Sequence, residues 1–284
     1  MRNFAESTAL MSELFPPLTA SAPLLHWRWD NLTSIAEQLR TIAAAQYGGV
    51  VLPAPAMLDD AELQQLRRCC AAAQKLSLRV WIRATLESGP AASCVQFQVQ
   101  DVAQRDAARW HVPAGGVLSA VAAPLDARRE QPDFVRAADL RRPGALSALR
   151  SDARVWIATR REYSAADSLH PQTAQSWIVN IGERLGAELA EYSAAGTFVG
   201  FLLRAPSLWP GHEDEVCFPW SPLLPEAFER RHGGELAPLL PALVASSGDE
   251  ATRVRQNFWA AIADLQRAVW RELDEWARTR ALQM

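Results

Sequence analysis

Three short apolar runs near the N-terminus, separated by two stretches of helical period, most narrow what this chain can become. Leu24 to Trp29 is apolar and aromatic and reads as a first strand. Asp30 and Asn31 end it. Asn31, Thr33 or Ser34 can cap a helix to about Gln46 that carries Ile35, Leu39 and Ile42 on one face. Gly48-Gly49 stops that helix, and Gly49 to Leu52 reads as a buried strand. Asp59 or Asp60 caps a second helix to about Leu76, with Leu63, Leu66 and Cys70 on one side, and Leu78 to Ile82 is a third strand. A βαβαβ order with connections of this length predicts right-handed crossovers and a parallel sheet.

The pattern then changes. Cys94 to Gln100 alternates through Val95, Phe97 and Val99, as a half-solvated strand should. Gly116 to Ala122 and Arg154 to Thr159 are further strands with no good helix between them. Residues 92–162 therefore read as an inserted, mostly antiparallel β excursion. Helical period returns at Pro171, after His170, with Trp177, Ile181, Leu185 and Leu189 on the buried face. Thr197 to Leu203 is a fourth core strand. Arg204 to Pro225 reads as a long irregular loop, followed by short helices at about 222–232 and 235–244. Asp249 or Thr252 opens a long amphipathic helix to about Arg280, with Phe258, Ile262, Leu265, Val269 and Leu273 at helical spacing. The expected fold class is α/β: a partial TIM-like (β/α) barrel with an inserted β excursion and a long C-terminal helix. The expected division is 1–91 for the first half of the partial barrel, 92–162 for the β-rich insert, and 163–284 for the continuation with its C-terminal helices.

Four parallel strands are half of a closed barrel, which has eight. The sheet they form has unpaired edges that something must cover. The β excursion and the long helix could cover them, two copies could pair, or a missing second half could be required; a homodimer completing the half barrel is the expectation.

Composition restricts the partners. A net charge of −3 offers nothing for nucleic acid or an anionic membrane, and Lys75 is the single lysine among many arginines. No apolar run reaches the roughly 18 residues of a membrane span. Met1 to Pro23 carries Glu6 and Glu13 and lacks the basic start and apolar core of a signal peptide, so the expected location is cytoplasmic. Cys69, Cys70, Cys94 and Cys217 read as buried thiols in a reducing compartment. No metal is expected, because His170 and His212 belong to no cluster with ligand spacing. No cofactor is expected either: Gly48-Gly49 precedes a strand instead of following one, and no Gly-x-Ser-x-Gly elbow occurs. Eleven tryptophans suit a sugar-binding cleft and a large core alike.

Seven short motifs follow one another along the chain. They are Leu25-His26-Trp27-Arg28-Trp29-Asp30-Asn31, Gly48-Gly49-Val50-Val51-Leu52, Leu78-Arg79-Val80-Trp81-Ile82 with Glu87-Ser88-Gly89, and Asp167-Ser168-Leu169-His170-Pro171. Gly200-Phe201-Leu202-Leu203-Arg204-Ala205-Pro206, Phe218-Pro219-Trp220-Ser221-Pro222 and His232-Gly233-Gly234-Glu235-Leu236 follow. In this order they resemble the N-terminal half of the catalytic barrel of α-L-rhamnosidase-type glycoside hydrolases (family 106 and its relatives).

The resemblance implies sugar cleavage by carboxyl groups at strand ends, and there the chain departs from the pattern. Arg83-Ala84-Thr85 replaces one acidic pair and Arg204-Ala205 another. A further group lies on a strand that this chain does not reach. The position of Asp167 is expected to cap the Pro171 helix. The implied protein is glycoside-hydrolase-like and catalytically degenerate, with a carbohydrate or glycoconjugate as its partner. Trp29, Trp209, Trp220, Arg204 and His212 are the candidate sugar-binding residues. An active hydrolase could instead use relocated carboxylates, with Glu213 or Glu215 as acid and Asp30 or Glu87 as partner. A third possibility is a structural or interaction protein whose old cleft is filled.

Overall fold

Leu24–His26 (β1), Gly49–Pro53 (β2) and Arg79–Thr85 (β3) are strands, joined through the helices Ile35–Ala44 (α1) and Asp60–Gln74 (α2). Phe198–Arg204 (β8) completes a four-stranded sheet in the order β1-β2-β3-β8, and every neighbouring pair is parallel. Each parallel step needs a crossover, and α1 and α2 supply the first two. Asp59 starts α2 by accepting the Glu62 N–H at 2.8 Å, which satisfies one of the donors left open at a helix start. The computed structural model describes residues 23–27, 34–55, 58–102, 111–113, 115–124, 137–142, 153–205, 208, 217–244 and 248–284.

The described residues fall into two units. The first comprises Met1–Leu86, Gln175–Ala205 and Glu272–Met284, and the second comprises Glu87–Ala174 and Pro206–Arg271.

In the first unit, Val50, Leu52, Val80, Ile82, Ala84 and Phe201 alternate onto one face of the sheet, and all are buried. Helices lie on that side: α2 contacts β3, and Ala190–Ala194 (α5) contacts β8. The predicted helix after Pro171 is built of Pro171–Trp177 (α3), a π-helical turn at Ile178–Gly182 and Glu183–Glu188 (α4). Its apolar residues recur every four positions, at Trp177, Ile181, Leu185 and Leu189. A 3.6-residue helix would rotate such a row steadily off its face, and a wider i→i+5 turn winds it back. Gly182 sits in that turn, where a Cβ would lie 2.8 Å from the Trp276 ring. Trp177 meets Phe201 edge-on at 5.1 Å and Trp276 edge-on at 5.6 Å. Trp276 donates its indole N–H to Glu183, and the Arg280 guanidinium lies over its ring.

The outer edge of β8 is also engaged. Phe201 donates its N–H to the Gln283 carbonyl at 3.0 Å, and Gln283 donates to Val199 at 2.9 Å, in parallel sense. The approach is so close that a Cβ on Gly200 would lie 2.0 Å from the Gln283 oxygen.

The second unit holds an antiparallel sheet in the order β6-β5-β7-β4-β9. Its strands are Ala91–Val102 (β4), Val117–Pro124 (β5), Ala138–Asp139 (β6), Ala153–Ala166 (β7) and Cys217–Trp220 (β9). β7 pairs with β4 along the whole length of β4. The segment read from sequence as an irregular loop thus contains a strand: β9 pairs with Ser93–Gln96 of β4. With four residues and a proline, Cys-Phe-Pro-Trp is too short to show strand periodicity, and the proline suits the edge position it takes. Leu224–His232 (α6), a 3₁₀ turn at Ala237–Leu243 and the start of Asp249–Thr279 (α7) supply Phe228, Leu240, Phe258 and Ile262 to a core shared with Val95 and Trp220. Gly233 ends α6 at φ 79°, where its N–H reaches Glu229.

Gly200→Ala should destabilise the protein by roughly 2–4 kcal/mol in chemical denaturation, because the new Cβ must push Gln283 off the β8 edge. Gly186→Ala, on helix α4 with no atom closer than 4.0 Å to the new Cβ, should instead be neutral or stabilising by up to about 1 kcal/mol. Equal effects at the two sites would contradict the close contact at Gly200.

Candidate functional site

In a (β/α) barrel, ligands meet the protein at the C-terminal ends of the strands. Here those ends are His26, Pro53, Thr85 and Arg204. The ladder continues into the following residues, since Ala54 donates to the Arg83 carbonyl at 2.8 Å and Leu86 to the Arg204 carbonyl at 3.1 Å. The backbone that positions these ends is therefore hydrogen-bonded up to its last residues.

Alternation decides which side chains share a face. His26 pairs in register with Val51, Val51 with Trp81, Pro53 with Arg83, Arg83 with Leu202 and Thr85 with Arg204. Side chains of residues paired in register point to the same side of a sheet. The face opposite the helices therefore carries His26, Val51, Trp81, Arg83, Thr85, Leu202 and Arg204. His26, Arg83 and Arg204 are exposed on it, while Trp81 and Leu202 are half-buried. From strand spacing and rise, the Cβ atoms of Arg83 and Arg204 stand about 8 Å apart. Neither side chain has a hydrogen-bond or ion-pair partner among the described residues. The four strands contain no Asp or Glu; their ionisable residues are His26, Arg79, Arg83 and Arg204.

The other candidates are placed as follows. Trp220 is buried in the core of the second unit, and its carbonyl accepts the Ser93 hydroxyl. Glu87 is exposed and opens the second unit. Trp29, Asp30, Trp209, His212, Glu213 and Glu215 lie outside the described residues. Trp27 is buried and donates its indole N–H to Gln38 at 2.8 Å, on the helix side of the sheet. All four cysteines are buried and outside any disulfide, and burial raises the thiol pKa of both Cys69 and Cys70, the latter to about 12. Among the described residues, no group of three or more His, Cys, Asp or Glu could hold a metal ion. A groove of about 420 Å³, lined by Glu183, Ala190, Ser193, Arg280 and Leu282, lies on segments that lead into β8 and its edge partner. That is the N-terminal side of the strands, where barrel residues serve stability.

The fold resembles that of a rhamnosidase. One similar solved structure is the rhamnosidase from Novosphingobium sp. PP1Y, at a TM-score of 0.54 and 12% sequence identity. The alignment covers 96% of this chain and 46% of that one, so the chain spans less than half the length of the protein it matches. At that identity the likeness shows a distant glycoside-hydrolase-like fold. No family model matches the chain, and no curated protein matches it.

Asp167 shows what burial does to a carboxyl here. Its Oδ1 accepts the Leu169 N–H at 2.9 Å, and its carbonyl accepts the Thr173 hydroxyl at the start of α3. Oδ2 and the neighbouring Ser221 hydroxyl are both buried without a hydrogen-bond partner. Burial pushes the Asp167 pKa above the ordinary carboxyl value, and the Leu169 N–H, His170 and Arg160 offset this only in part. A raised folded pKa favours the neutral form. The stability that Asp167 contributes is therefore fully present below the unfolded value of about 4 and is lost as pH rises through the folded one. Asp167→Asn should gain on the native protein between pH 4 and 7.5, by about 1 kcal/mol or more in urea denaturation. A difference that stays constant over that range would mean that the carboxylate is solvated.

Proposed function

We propose that this chain is a rhamnosidase-type glycoside-hydrolase relative that has lost catalysis and binds carbohydrate at the C-terminal ends of its parallel strands. One observation carries the reading. Where the motifs of that family place acidic pairs, this chain presents Arg83 and Arg204, side by side on one face. Glycoside hydrolysis needs two carboxyl groups across one bond, one to protonate the leaving oxygen and one to attack or to activate water. A guanidinium stays protonated near neutral pH and can take neither role. What a sugar needs for binding is still in place: a half-buried indole at Trp81, apolar Leu202 and hydrogen-bond donors at the rim. The order of the seven motifs and the 96% coverage in the structural alignment support the ancestry.

Aryl α-L-rhamnosides incubated with the purified protein should be hydrolysed no faster than in buffer, while a glycan screen should return binders that quench tryptophan fluorescence. Hydrolysis that disappears on Glu87→Gln would replace this reading with that of an active enzyme using relocated acids.

The proposal includes a second copy of the chain as the source of the strands that would close the half barrel. Because Gln283 already holds β8 at Val199 and Phe201, an incoming strand must pair beyond that point, along Leu203 and Arg204. Light scattering should give the mass of a dimer. A monomeric native protein with a single cooperative melt would overturn this part.

A further inference from the structure

We infer that the ligand of this face is an anionic sugar, whose carboxylate, sulfate or phosphate group is held between Arg83 and Arg204. The inference rests on the carbohydrate-binding reading above and names the chemical class of its ligand. Arg83 and Arg204 project from adjacent parallel strands onto the same face, two residues apart in register. Both are exposed, and neither is neutralised by a partner among the described residues. Other exposed arginines of the chain do meet acids: Arg67 meets Glu188, Arg231 meets Asp264 and Arg253 meets Glu250.

No strand of the sheet supplies a counter-charge of its own. Two guanidinium groups whose side chains start about 8 Å apart on a rigid ladder can reach the same point in space, where their like charges repel and an oxyanion between them removes the repulsion. The guanidinium fork suits this task because it donates two parallel N–H groups to a planar carboxylate or to two oxygens of a sulfate or phosphate. Trp81 lies on the same face two residues before Arg83, and Leu202 pairs in register with Arg83. An aromatic and apolar floor thus adjoins the cationic pair, giving one surface for a sugar ring and another for its charged substituent.

Isothermal titration of the full chain tests this with three probes: a galacturonate trisaccharide, its neutral methyl ester and sodium sulfate. The uronide should bind at least about tenfold more tightly than the ester, with an affinity that falls as salt is added. Arg83→Gln and Arg204→Gln should each remove that preference, and Arg83→Lys should keep part of it. Arg68→Gln, a charge loss on the exposed side of α2, should leave it unchanged. Melting temperatures should stay near that of the native protein for all four variants, because exposed surface changes cost little. Equal binding of uronide and ester would overturn the charge inference and keep the carbohydrate reading. Sulfate binding without uronide binding would keep an anion site and overturn the carbohydrate reading. Binding that survives both Arg→Gln changes would place the anion elsewhere and overturn the inference.

Discussion

The parallel ladder β1-β2-β3-β8 is the constraint from which the rest of the first unit follows. Each strand must bury one set of alternating side chains against helices, so Val80, Ile82 and Ala84 are fixed inward by the fully apolar contact they make. Once that set is fixed, the remaining residues have no freedom of side. A one-residue slip would send Trp81 and Arg83 into the helix layer and take Val80 and Ile82 out of it. The hydrophobic side of the sheet thus determines the position of the charged side. The same ladder sets the spacing between Arg83 and Arg204, which no side-chain contact of their own would maintain.

Most of this ladder is legible in the sequence, for a physical reason. Strands β2 and β3 are apolar runs bounded by glycine or helix caps, and the helices α1 and α2 that precede them carry a clear 3.6-residue stripe. The antiparallel sheet is legible where its strands are long, as at β4 and β7. What escapes is what periodicity cannot encode. β9 is four residues long, and its pairing with β4 joins positions 127 apart in the chain, as between Ser93 and Trp220. The π turn at Ile178–Gly182 leaves a trace only in the four-residue spacing of its apolar row. The engagement of β8 by Gln283 has no local signal at all, because a single residue pairing with a strand several elements away in the chain contains no pattern.

The candidate site is legible in a different measure. Arg204 stands out in the sequence because it occupies a strand end where a carboxyl is expected. Arg83 is noticed for the same reason, but its place beside Arg204 depends on the register of β3 against β8, including the shift between Val80 and Trp81. Without that shift Arg83 and Arg204 would fall on opposite faces, and the sheet would present two isolated cations. Trp81 could be core or surface on sequence alone. Its in-register pairing with Val51 and Gly200 puts it on the same side as Arg83.

Gly200 is the residue that makes the β8 edge contact possible. Its missing side chain lets the Gln283 backbone approach closer than any Cβ would allow, at a φ of +156° that L side chains rarely adopt. Any larger residue would be driven against the Gln283 backbone and would push it away from β8. The engagement of this edge therefore depends on a position that carries no functional group of its own.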